Sequence, residues 1–290
     1  MNLPEAFQLF HTPPVGGNLP DVNDTWSYSI EPDLEGSEHM RRDEAMAQAC
    51  AIDGIRRLRF YSWRPWTLSL GYHQKDDTID RDLLQRRGYG LVRRPTGGRA
   101  VFHAEEITYA VAMPSGGSGI HETYARINAA LHRGLEFLGA SGLEFSRTQP
   151  DFRQHYAMEE SASCFSASAL SELTWHGRKL LGSAQRRYGS ILLQHGSLLL
   201  GPAHLEIIDL LHPHLEESRR ADLRRRLAER TATLDETLSG GLPSFDTIAR
   251  ALGRGFAATF DAVLTPSPDI TRPQPPRTAI HVRQHPEEHA

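Results

Sequence analysis

Between residues 58 and 113 the sequence breaks five times into short runs of apolar, aromatic and β-branched residues: 58–63, 66–71, 90–94, 100–103 and 107–113. Runs of that length, separated by Arg64-Pro65, Gly88 and Gly97-Gly98, predict strands. Three more follow at 170–175, 179–184 and 191–200. Helical spacing surrounds them. Residues 37–52 put Met40, Ala47 and Cys50 on one face, and residues 124–138 align Tyr124, Ile127, Leu131, Leu135 and Leu138. After a Ser244 cap, Phe245, Ile248, Leu252, Phe256, Phe260 and Leu264 form one long stripe. A shorter helix is expected from a Thr78 cap to Arg87, closed by Gly88. Strands in the middle, with helices before, between and after them, predict an α+β domain.

The chain of 290 residues can bury a full core. Residues 1–25 lack periodicity and read as an extension, and the Pro-, charge- and His-rich residues 266–290 read as an unpacked tail. One domain over 26–265 is the expected organisation. Hydrophobic residues at 39% exclude disorder along the whole length. The uncharged stretch 188–205 is interrupted by Gln194, His195, Ser197, Gly201 and Pro202, so no bilayer-spanning segment and no membrane partner is expected. The first residues show no basic segment followed by an apolar one, which makes the cytoplasm the expected location. A net charge of −4 argues against nucleic acid as a partner. Two cysteines, Cys50 and Cys164, are too few for a disulfide framework or a Cys-rich zinc site. His212 and His214 with Glu216 and Glu217 lack the HExxH spacing and open a highly charged helix, so no metal is expected.

Three segments could carry chemistry. In Arg93-Arg94-Pro95-Thr96-Gly97-Gly98-Arg99, paired glycines let a backbone approach a ligand and the arginines add charge, which suits a phosphate, a carboxylate or a polarised carbonyl. Alone, the same residues also make a glycine turn with solvated arginines. The second segment is GRKLLGSAQRR. Lys179 stands there among small residues, Gly182, Ser183 and Ala184, and QHGS follows with His195. Of the 32 basic residues only Lys75 and Lys179 are lysine, and a compact ammonium is chemically distinct from a guanidinium. A basic surface hairpin is the competing reading. The third is Cys164, within SASCFSAS; Cys50 lies on a helix face and reads as packing. An ordinary thiol is only about 3% thiolate at neutral pH, and a nearby ammonium raises that fraction. A Ser–His–acid hydrolase finds no support, because His195 and Ser197 are only two positions apart.

Taken in order, RRDEAMAQ, LRFYSWRPWTLSLGYHQ, VRRPTGGRAVFHAEEITYAV, SCFSASALSEL, GRKLLGSAQRR, LQHGSLLL and TATLDETL resemble the biotin/lipoate protein ligase and octanoyltransferase superfamily, most closely its LipM-type octanoyltransferases. The resemblance implies a mixed-sheet α+β catalytic fold that holds a medium-length acyl chain in an apolar tunnel. It implies that Cys164 takes the octanoyl group as a thioester from octanoyl-acyl carrier protein, assisted by Lys179. The acyl group then passes to a lysine of a lipoyl-domain acceptor, such as the glycine cleavage H protein or a 2-oxoacid dehydrogenase acyltransferase subunit. No cofactor is implied. Arg93, Arg94, Thr96, Gly97, Gly98, His103, Gly182, Ser183, Ala184 and His195 are the expected substrate-binding residues. After Cys164-Phe165, related enzymes often carry an acidic residue and a proline, where this chain has Ser166 and Ser168. On the same fold, an ATP- and Mg-dependent lipoate–protein ligase would use the glycine loop and Lys179 to hold an acyl-adenylate, leaving Cys164 incidental. A carrier-binding protein without activity is the third reading.

Overall fold

The computed structural model describes residues 25–116, 119–146, 172–211 and 213–267. Of the extension only Thr25 is described, and of the tail only Pro266 and Ser267. Residues 170–171, Cys164 and His212 lie outside the described residues.

The first part of the chain runs β1 (Thr25–Leu34), α1 (Gly36–Asp53), β2 (Arg56–Trp63), β3 (Thr67–Leu70), α2 (Arg81–Arg87), β4 (Gly90–Arg93), β5 (Val101–His103), β6 (Glu106–Pro114) and α3 (Ile120–Phe137). Then follow β7 (Leu143–Phe145), β8 (Leu173–Trp175), β9 (Arg178–Lys179), β10 (Leu181–Tyr188), β11 (Ile191–Leu199) and a 3-10 turn (Pro202–Glu206). The last elements are α4 (Ile207–Leu211), α5 (Glu217–Arg230), α6 (Leu234–Thr237), α7 (Phe245–Phe260) and β12 (Val263–Pro266). A six-stranded mixed sheet in the order β10-β11-β6-β2-β1-β12 forms the centre, with smaller sheets β4-β3-β5 and β7-β8-β9 beside it. The α+β expectation holds.

Alternation along each strand sends side chains to two faces. One face of the large sheet offers Leu58, Phe60, Tyr109, Val111, Leu192 and Leu198 to α3 (Ile127, Leu131, Leu135) and α7 (Ile248, Leu252, Phe256). Fully burying one such side chain stabilises by about 1.5–3 kcal/mol, so this layer dominates the core. The two helices cross where glycine is required: a Cβ on Gly255 would collide with the Ala130 carbonyl oxygen, and one on Gly134 with the Leu252 backbone. The opposite face carries Tyr61, Trp63, Ala110, Ala112 and Leu193 against Met40, Met46, Ala47 and Cys50 of α1. Cys50 is therefore a packing residue, its thiol pushed up to about 11 by burial. The small sheet β4-β3-β5 packs its own apolar side chains on α4 and α5.

Three local expectations change. Asp80 rather than Thr78 caps α2, its Oδ1 accepting from the Leu83 amide at 2.8 Å. The long C-terminal stripe divides because Asp261 turns left-handed (φ 50°) and ends α7, so Leu264 is buried from a strand, β12. That strand and β1 were not predicted; they pair in parallel at the sheet edge, and Ser267 donates to the Tyr28 carbonyl at 2.7 Å, inside the stretch read as tail. No helix among the described residues is long and apolar enough to cross a membrane.

Candidate active site

The glycine loop is held by its own arginines. Arg94, 4% exposed, donates from Nη2 to the carbonyls of Gly97 (2.8 Å) and Arg99 (2.6 Å) and from Nη1 to Ser69. Arg93 Nη1 donates to the carbonyls of Gly71 (2.8 Å) and Gln74 (2.7 Å). The guanidinium groups that the sequence offered as charge for a ligand are both engaged with backbone carbonyls. Their donors close a backbone turn by engaging its carbonyls. The turn also needs glycine: Gly98 adopts φ 96°, and a Cβ on Gly71 would overlap its carbonyl oxygen.

Above the loop lies a cavity of about 410 Å³, its mouth included. Strand register builds its floor. Gly182, Ser197, Thr108 and Tyr61 stand in one row across β10, β11, β6 and β2, and all four line the cavity. In the next row on that face Ala184 and His195 line it as well. Met40 from α1, Trp63, and Val101, His103 and Arg94 from the small-sheet side complete the wall.

The cavity is polar by residue type and apolar by surface, because its polar atoms are engaged with protein. Asp43, fully buried on α1, accepts from Arg59 Nη1 (2.5 Å), the Tyr61 hydroxyl (3.0 Å) and His195 Nδ1 (2.9 Å). Burial alone would raise its pKa, but the His195 bond and the Arg59 charge together hold the carboxyl below its ordinary value. The Nδ1 proton of His195 therefore faces Asp43, and Nε2 lies 2.6 Å from the Thr96 hydroxyl, fastening the glycine loop to the sheet. His103 repeats the pattern. Its Nδ1 donates to Glu106 Oε1 (2.7 Å), Nε2 meets the Ser69 hydroxyl (2.7 Å), and its ring stacks on Trp63 with centroids 3.9 Å apart. Burial pushes the His103 pKa down despite the Glu106 charge. Thr108 and Ser197 also donate to Glu106 Oε1.

Lys179 does not line this cavity. Its ammonium is buried, 2.9 Å from Glu172 Oε2. The other Glu172 oxygen accepts from the Tyr124 hydroxyl of α3 (3.3 Å). Ser183, which lines the cavity, bonds the Tyr109 hydroxyl at 2.7 Å.

The structure thus gathers Arg94, His103, Gly182, Ser183, Ala184 and His195 around one cavity. Thr96 stands behind His195, and Arg93, Gly97 and Gly98 are exposed on the loop. Asp43, Glu106 and Glu172 were missed in the sequence. For Asp43 a signal exists, a carboxylate on the Met40–Ala47–Cys50 face of an amphipathic helix; Glu106 and Glu172 carry none. Among the described residues no group of three or more His, Cys, Asp or Glu side chains is placed to hold a metal ion.

The family model described as the lipoyl protein ligase A/B catalytic domain matches residues 35–257. Octanoyltransferase LipM of Kyrpidia tusciae is 40% identical over 214 residues, covering 72% of this chain and 77% of that protein. Octanoyltransferase LipM of Brevibacillus brevis is 35% identical over 248 residues, covering 83% and 89%. The solved structure of a bi-partite lipoate protein ligase from Thermoplasma acidophilum, determined with its E2 lipoyl domain, superposes with a TM-score of 0.67 at 22% identity over 84% of this chain and 87% of that one. A lipoate-protein ligase A bound with ATP gives 0.64 at 22% identity over 84% and 89%; at such identity both likenesses speak for the fold. With a family match over most of its length, the chain belongs to the lipoyl protein ligase A/B catalytic domain family.

Proposed function

We propose that this enzyme is an acyltransferase of protein lipoylation that moves an octanoyl group onto a lysine of a lipoyl-carrier protein in the cytoplasm, without ATP. Relatives named octanoyltransferase over most of the chain support the class of reaction. The observation that carries the substrate is the cavity, where imidazole and aromatic rings and Met40 make an apolar wall. Seven buried methylene and methyl groups at ~0.8 kcal/mol each supply roughly 5–6 kcal/mol of chain recognition.

In the reading we favour, the donor is octanoyl-acyl carrier protein. The Cys164 thiolate attacks the donor carbonyl, the carrier thiolate leaves, and it takes up the proton that Cys164 released. The acceptor amine then attacks the new thioester, the Cys164 thiolate departs, and the amine proton returns to sulfur. One thioester is consumed and one amide and one free thiol are formed, a downhill exchange. The Lys179 ammonium stabilises the oxyanion of each tetrahedral state. Gly182 and Ser183, which follow Lys179 closely in the chain, line the cavity and support placing that ammonium near the acyl site.

The test is intact-mass analysis after mixing the protein with octanoyl-acyl carrier protein in the absence of ATP. A hydroxylamine-labile octanoyl adduct, absent in Cys164→Ala, is expected, followed by loss of the adduct when a lipoyl domain is added. Modification of the lipoyl domain that requires ATP and free octanoate, and survives Cys164→Ala, would replace the transferase by a ligase.

A further inference from the structure

Glu172 and Lys179 are an oppositely charged pair almost wholly removed from water, 2% and 3% exposed. Two features set this pair apart from the molecule's surface ion pairs. The lysine is one of only two in a chain that otherwise uses arginine for positive charge. The carboxylate divides its oxygens, Oε2 to the ammonium and Oε1 to the Tyr124 hydroxyl, so it cannot turn without breaking a contact to α3. An ammonium on a four-carbon stem has many rotamers and three donors to aim. β9 fixes only the root of that stem, through pairing with Thr174 and the bridge to Thr231. The far end is fixed by Glu172, itself held by Tyr124 of α3, and Gly182 and Ser183 of the cavity wall follow Lys179 along the same stretch of chain.

We propose that Glu172 is a positioning residue of the transfer reaction: it aims the Lys179 ammonium at the acyl site and supplies the countercharge that lets a cation stand in a dry interior. It touches no reacting atom and acts through Lys179. This inference rests on the role given to Lys179 above. It adds that the working unit is the Glu172–Lys179–Tyr124 array. It also explains why lysine persists here: a guanidinium would meet the same carboxylate with a larger planar fork and place its charge elsewhere.

The experiment is a double-mutant cycle on the full-length protein, with Glu172→Gln, Lys179→Met and the double variant. Each is assayed for octanoyl transfer from octanoyl-acyl carrier protein to a lipoyl domain, with kcat corrected for folded fraction by near-UV circular dichroism. Glu172→Gln is expected to lower kcat at least tenfold with KM for the donor within twofold. In the Lys179→Met background the same change is expected to add less than twofold. Glu172→Asp, which keeps the charge, is expected to recover at least a third of the wild-type kcat, and it carries the test if Glu172→Gln does not fold. Equal losses in the Asp and Gln variants, a rise in KM alone, or the same loss in both lysine backgrounds would assign Glu172 to packing and overturn the proposal. A fully active Lys179→Met overturns instead the reading of Lys179, and the proposal with it; an inactive Lys179→Met beside an active Glu172→Gln removes the proposal alone.

Discussion

Mild acid should destabilise this protein through its buried histidines, and the size of the effect follows from two of them. His39 is sealed beneath Tyr61 and Trp63, 2.9 Å from the Ser62 carbonyl at Nε2 and 3.2 Å from Arg59 at Nδ1. Burial first, then the Arg59 charge, push its pKa down to about 4. His204, between Gly201 and Thr231, is pushed down to about 4, mainly by burial. Both rings are neutral in the folded protein at pH 5, whereas the unfolded chain holds them protonated. The unfolded state therefore binds more protons between about pH 4 and 6.5, and stability is lost as the pH is lowered through that window. For a fall from the ordinary 6.5 to about 4, each ring costs about 2 kcal/mol at pH 5 and a limiting slope of about 1.2 kcal/mol per pH unit. The pair removes about 4 kcal/mol, a large share of the stability of an ordinary domain. Lowered carboxylates such as Asp43 and Glu31 act in the same direction, but only below about pH 4.5, where the unfolded chain begins to protonate its acids. Urea unfolding followed by tryptophan fluorescence from pH 7 to 5 measures the slope. His39→Asn and His204→Asn should each lower it by about 1.2 kcal/mol per pH unit, whatever they do to stability at pH 7, the buried His103 supplying a further part. A slope unchanged in both variants would refute the assignment of neutral, buried rings.

Other substitutions probe the site directly. Lys179→Met leaves the Glu172 carboxylate buried without its ammonium and should cost about 3–5 kcal/mol in urea unfolding, most of which returns in Glu172→Gln/Lys179→Met. Met40→Ala removes a side chain that lines the cavity from α1. It should destabilise by about 2–5 kcal/mol while raising the use of a decanoyl relative to an octanoyl donor in a competition assay; an unchanged ratio would place the acyl chain elsewhere. Thr96→Val keeps the shape of the loop but leaves His195 Nε2 without the hydroxyl at 2.6 Å, and should cost about 1–3 kcal/mol, with Thr96→Ser close to wild type.

The elements legible in the sequence are those whose burial is local and periodic. The α7 stripe, the Ser244 cap and the runs that became β2, β3, β5, β6 and β11 each carry their own signal within a few residues. β1 and β12 do not. β1 ends in the charged stretch around Glu31, whose carboxylate is drawn into ion pairs with Arg42 and Arg59, and β12 has four residues whose reason for being extended is a partner some 240 positions away. The same distinction divides the site. Glycines and lone lysines stand out in a linear text. A buried carboxylate such as Asp43 is given its meaning by Arg59, Tyr61 and His195, which arrive on two other elements.

Residue type also misleads where surface is what a ligand meets. Arg94, His103 and His195 are among the substrate-binding residues expected from the sequence, and all three do line the cavity. Their nitrogens, however, face Gly97, Arg99, Glu106, Ser69, Asp43 and Thr96. Both imidazoles have both nitrogens engaged with protein, and His103 in addition stacks in parallel on Trp63. A buried polar group bonded to protein costs little, whereas one aimed at a hydrocarbon would go unsatisfied. The apolar acyl chain proposed for this cavity would therefore require that its histidines be engaged elsewhere. The two carboxylates behind them, Asp43 and Glu106, are the means by which a wall rich in histidine is made greasy.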